Sequence, residues 1–143
     1  MPICLLDTDT LSELLKQQHP VVAQRAHVYL QQHQRFAFSL ITCSEVVRGL
    51  QDKEAMRQLG QFETFCQHSL ILNITQAILD RTAKLWAAAH RAGLPRNDAD
   101  LIVAATALEH RRVLVTGSPA HFTWIPGLVV EDWRQPSSGA KGS

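Results

Sequence analysis

The stretch ICLLDTDTLSEL, Ile3 to Leu14, decides the fold. An apolar run stops at a carboxylate, Asp7, and a second carboxylate, Asp9, follows two residues later. A run this short and this apolar reads as a strand buried on both faces, as in a parallel sheet. A carboxylate left unpaired at the end of such a strand costs several kcal/mol once desolvated. A cation or a hydrogen-bond donor therefore has to meet Asp7.

Outward from that stretch, strand and helix signals alternate. Pro2 to Leu6 is the first strand, and Leu11 to Lys16 can form a short helix, with Asp9 at its start. Pro20 suits a helix start, and Val21, Val22, Ala26, Tyr29 and Leu30 follow at helical spacing. RFAFSLI (Arg35–Ile41) is a second strand. Thr42 with Glu45 has capping-box spacing, which predicts a helix starting there. Met56 to Phe65 reads as a helix and Ser69 to Leu72 as a strand. Thr75 to Ala92 is a long helical pattern with Ile78, Leu79, Ala83, Leu85 and Trp86 inward, stopped by Gly93. Asp98 to His110 is helical, and Arg112–Val115 and Leu128–Val130 are strands. This alternation implies an α/β fold with a mainly parallel sheet covered on both faces. Such sheets bind ligands at the C-terminal ends of their strands. Asp7, Glu45, Thr116 and the helix-opening pair Asp98 and Asp100 are all placed to reach that edge.

The chain has 143 residues, enough for one domain with a real core at 45% apolar composition. A formal charge of +1 excludes a globally basic nucleic-acid binder, so any such contact must come from a local patch. Three cysteines without zinc-ligand spacing read as small thiols in a reducing compartment. No apolar run approaches the ~18 residues of a membrane span, and the N-terminus lacks a secretory signal, so a cytoplasmic protein is expected. The domain is expected over residues 1–133, with 134–143 a loose Pro-, Gly- and Ser-containing tail.

Two phosphate chemistries begin with a strand that ends in aspartate. A haloacid-dehalogenase-like phosphatase would need a lysine after the strand-end threonine and then an acidic pair. Here Asp98 and Asp100 precede Thr116, and no lysine lies between Lys84 and Lys141. The alternative needs only carboxylates that hold Mg²⁺ or Mn²⁺ and a water that the cation activates. Asp7, Glu45 and Asp100 meet that demand.

Three blocks carry a resemblance: LLDTDTLSEL, SLITCSEVVRGL, and LPRNDADLIVAATALEHRRVLVTGSPAHFTWIPGLVVEDW. In this order they resemble the PIN-domain ribonucleases of the VapC toxin type, the toxic half of a toxin–antitoxin pair. The resemblance implies a three-layer α/β/α domain and an Mg²⁺- or Mn²⁺-dependent endoribonuclease, with tRNA the expected substrate. It also implies a VapB-like antitoxin and a homodimer. Asp7 and Asp100 would be metal ligands, Glu45 the acid of the second block, and Asp98 a further catalytic acid. Thr116 would support the site through its hydroxyl. Ser118 stands where the family frequently has Asn or Asp, which keeps open a catalytically decayed module that binds RNA or protein.

Each residue also has a plainer reading. Glu45 could serve the capping box, and Asp98 or Asn97 could cap the helix that follows. Arg48 could pair with its own helix face or meet a phosphate. Arg91, Arg96, Arg111 and Arg112 are the basic candidates for an RNA backbone, although solvated charge is the default for each. His121 suits packing in a turn better than catalysis, and Trp86, Trp124 and Trp133 suit a core or an interface.

Overall fold

A computed structural model describes residues 1–94 and 96–136. Its strands are β1 (Cys4–Leu6), β2 (Ala37–Ser39), β3 (Leu70–Leu72), β4 (Val113–Val115) and β5 (Val130–Glu131). Its helices are α1 (Thr8–Lys16), α2 (Pro20–His33), α3 (Leu40–Asp52), α4 (Met56–Gln67), α5 (Gln76–Arg91) and α6 (Asp98–Glu109). Of the expected tail, residues 137–143 lie outside the described residues. Arg134 and Gln135 make hydrogen bonds to the rest of the fold, the latter through its carbonyl to Arg25.

All the strand pairs are parallel. β4 lies between β1 and β5, β3 pairs with β2, and β2 runs beside β1. The chain thus builds outward from β1 through β2 and β3, then crosses to β4 and β5 on the other side. The crevice at the β1–β4 reversal is where open parallel sheets bind ligands. The register sets Leu6 beside Val115, and Asp7 N–H still donates to Val115 O at 2.8 Å. Asp7 and Thr116 therefore leave the sheet side by side.

Strand alternation divides the core. Cys4, Leu6, Phe38, Val113 and Val115 face a cluster with Leu11, Tyr29, Phe62 and Trp133. Leu5, Ala37 and Leu114 face the opposite side, against Val103, Ala104 and Ala107 of α6. Both sheet faces are covered, so the architecture is three-layered. From Leu101 to Ala107 the helix α6 is apolar around most of its circumference and largely buried, and α5 packs against it.

Three expectations need correction. The helix α1 begins at Thr8, capped by Asp7 rather than by Asp9. The helix α3 begins at Leu40, and its cap is Ser39, whose hydroxyl accepts from Ile41 N–H at 3.2 Å. Thr42 and Glu45 thus lie inside the helix and form no capping box, and the buried Thr42 hydroxyl has no partner among the described residues. On α5 only part of the expected inner face turns inward: Ile78 is buried, but Leu79 and Trp86 are exposed. The packing on α6 uses a face that runs through Ile78, Leu85 and Ala89 instead.

Candidate active site

Asp7 is only 7% exposed and is held from two sides. Its Oδ1 accepts from Thr8 N–H at 2.8 Å, and its Oδ2 accepts from the Thr116 hydroxyl at 2.9 Å. Thr116 is fully buried at the end of β4, and its oxygen also accepts from Ser118 N–H at 3.1 Å. These donors favour the carboxylate form, yet the Asp7 pKa is pushed up from 3.8 to about 6. Burial is the main cause, and the negative charges of Asp9 and Asp100 add to it.

Asp9 reaches across from the first turn of α1. Its carboxylate accepts from Gly117 N–H at 3.1 Å and from the Ser118 hydroxyl at 3.2 Å. A Cβ at position 117 would stand 3.0 Å from Asp9 Oδ2, so glycine allows this close approach. Arg134 closes the turn from outside by donating to Gly117 O and to Asp132, at 2.9 Å in the latter case. Asp9 therefore ties the turn after β4 to the start of α1. In the sequence Asp9 reads as a helix-starting residue; its second role depends on Ser118, 109 residues away, which no local signal marks.

Glu45 enters from α3, where Oε1 accepts from the Thr8 hydroxyl at 2.6 Å. Thr8 was not singled out from the sequence, although it lies between the two aspartates. Arg48, one turn on, sits 3.9 Å from Glu45 Oε2 with its side chain 79% exposed. Asp100 enters from the first turn of α6. Asn97 caps that helix by accepting from Asp100 N–H at 2.8 Å, and Asp98 is exposed beside it. The Asp100 carboxyl lies 3.5 Å from His121 Nδ1. Its pKa is raised, chiefly by burial; His121 pulls it down, and Glu45 and Asp9 push it up. Arg96 donates to the carbonyl of His121 at 3.2 Å and so stands on the acidic side of the sheet. Arg112 does not: it donates to Cys4 O, at the far end of β1, so it and Arg111 leave the proposed basic rim.

Asp7, Asp9, Glu45 and Asp100 thus meet at one sheet edge, from three separate segments; Asp9 and Asp100 raise the cost of charging Asp7, and Glu45 and Asp9 that of charging Asp100. The donors are all oxygens and four carboxylates crowd one edge, which suits a hard divalent cation. Among the described residues, no three His, Cys, Asp or Glu side chains converge to hold one ion. Asp7 spends both oxygens on protein donors, and Asp100 turns towards His121. The set fits a cation held by one or two carboxylates that keeps most of its waters, as Mg²⁺ usually does.

The chain matches no protein-family model. It is 28% identical over 130 residues to the tRNA(fMet)-specific endonuclease VapC of Salmonella typhimurium, covering 90% of this chain and 96% of that protein. It is 26% identical over 134 residues to ribonuclease VapC1 of Haemophilus influenzae, covering 93% and 99%. In fold it resembles a chain of the DNA-bound VapBC of Salmonella typhimurium, with a TM-score of 0.83 at 28% identity, over 93% of this chain and 99% of that one. A chain of VapBC-1 from nontypeable Haemophilus influenzae gives 0.77 at 25% identity, over 93% and 99%. Along nearly its whole length the chain is thus similar in sequence to VapC ribonucleases and shares the fold seen in VapBC complexes.

Proposed function

We propose that the chain is an endoribonuclease toxin that depends on Mg²⁺ or Mn²⁺, cleaves tRNA, and is neutralised by a VapB-like antitoxin. The observation that carries the reading is the meeting of four carboxylates at the β1–β4 reversal, with Asp7 pushed up to about 6. Asp7 and Asp100 would hold the cation. Once bound, it supplies an activated water and neutralises charge that builds on the phosphate. The protein's own groups prepare that edge. Thr116 fixes one Asp7 oxygen, Thr8 holds Glu45, and Asp9 locks the turn that carries Ser118. Arg48 and Arg96 flank the edge and would meet the RNA backbone, and Asp98 extends the acidic rim of α6. The relatives named for tRNA and RNA cleavage, and the VapBC complexes, support the substrate class and the antitoxin. No helix of the described residues is long and apolar enough to cross a membrane, which fits the proposed cytoplasmic site of action. A homodimer belongs to the same proposal, and sedimentation of the antitoxin-free chain tests it.

A second reading, a module that binds RNA or protein without cutting, draws on Ser118. Its hydroxyl donates to Asp9 and is thereby engaged within the protein. Mn²⁺ calorimetry separates the readings. Binding that Asp7→Asn and Asp100→Asn abolish supports the nuclease, and no binding by the folded wild type supports the module.

A further inference from the structure

Cys43 on α3 and Cys66 on α4 place their Sγ atoms 4.0 Å apart. Both are free and partly exposed. They sit at the rim of the aromatic cluster formed by Phe36, Phe38, Phe62 and Phe65, where α3 packs on α4. Cys4, the third thiol, is buried in β1 and donates to Pro2 O at 3.4 Å. Nothing in the acidic site uses the Cys43–Cys66 pair, and the inference does not depend on the nuclease reading.

We propose that Cys43 and Cys66 form a dithiol site that a small disulfide oxidises to an intramolecular bond joining α3 to α4. The sulfurs have to close to about 2.05 Å, and they start from contact on two helices that already pack together. Burial pushes the Cys66 thiol up to about 12, and the neighbouring Cys43 adds to the shift, so exchange needs an alkaline or activating condition to raise the thiolate fraction. The exchange can open at Cys43, one of the two touching sulfurs. Its thiolate attacks the small disulfide, forms a mixed disulfide and releases one thiolate. Capping Cys43 removes its charge from beside Cys66. The Cys66 thiolate then attacks the Cys43 sulfur and expels the second thiolate. Overall, two protein thiols are oxidised and one small disulfide is reduced to two thiols. The bond closes a loop across the 23-residue separation and constrains the unfolded chain. It also pins α3 two residues before Glu45, so the site's third acid rides on a helix whose mobility would follow the redox state.

The test uses the full chain and oxidised glutathione. The expected result is an intact mass lower by two hydrogens and free thiols falling from three to one. Peptide mapping should link Cys43 to Cys66, and the melting temperature should rise by several degrees until dithiothreitol reverses it. Cys66→Ser, which should melt like the wild type when reduced, is expected to stop as a glutathione adduct on Cys43. Three persistent free thiols, a stable glutathione adduct on the wild type, or disulfide-linked dimers would overturn the proposal.

Discussion

At the scale of single residues, Asp7 does two jobs that conflict. It caps α1 and supports the sheet edge, yet its charge is costly there, because its pKa stands at about 6 against an ordinary 3.8. The folded state therefore holds the proton more tightly than the unfolded chain. This contribution to stability is complete below pH 3.8, falls as pH rises, and is gone above about 6. At pH 7.5 the metal-free protein carries a penalty on the order of 2–3 kcal/mol from this group. Asp7→Asn should thus raise its stability in urea by about that amount while cutting RNA cleavage at least ~100-fold. A variant both inactive and less stable than the wild type would show that Asp7 is a structural cap and little else. Thr116→Val removes the hydroxyl bonded to Asp7 in nearly the same volume. Cleavage should drop about 10-fold, and the acidic limb of the pH–rate profile should move to higher pH as Asp7 loses a donor. Asp7 and Thr116 could be read from sequence because each ends an apolar strand. Thr8, whose hydroxyl holds Glu45, could not, because nothing local marks a partner on α3.

At the scale of elements, the strands and most helices followed from apolar runs, Pro20 and Gly93, because those signals act within a few residues. The start of α3 did not follow, because Ser39 lies inside an apolar stretch and competes with the apparent capping box of Thr42 and Glu45. The two starts predict opposite effects. With Ser39 as the cap, Ser39→Ala should cost about 1 kcal/mol in chemical denaturation. Thr42→Val should be neutral or stabilising by up to about 1 kcal/mol, because it replaces an unpartnered buried hydroxyl with a methyl group. Were Thr42 a cap, its replacement would destabilise instead. The turn after β4 is the element on which Asp9 depends. Gly117→Ala puts a Cβ 3.0 Å from Asp9 Oδ2, so that carboxylate has to shift. Cleavage should fall several-fold with little change in melting temperature; an unchanged rate would mean that Asp9 does not organise the site. The inward face of α5 was misread at Leu79 and Trp86 because a helix that packs on one neighbouring helix buries a narrower stripe than the apolar residues suggest.

At the scale of the molecule, a β1–β4 reversal brings together acids as far apart in sequence as Asp7 and Asp100, with Glu45 between them in the chain. Their mutual repulsion has a thermodynamic signature. A divalent cation should offset it, so Mn²⁺ should raise the melting temperature at pH 7.5 and do so much less at pH 5, where Asp7 is largely protonated. Equal shifts at both pH values would place the cation elsewhere. The central claim is that this edge cuts RNA, and the most direct measurement is cleavage of total tRNA by antitoxin-free protein, with Mg²⁺ or Mn²⁺ and with EDTA. Cleavage that requires the cation, and that Asp7→Asn and Asp100→Asn each lose, is the predicted result. A folded, metal-supplied wild type that leaves the RNA intact, or variants that cut as well as it does, would contradict the account.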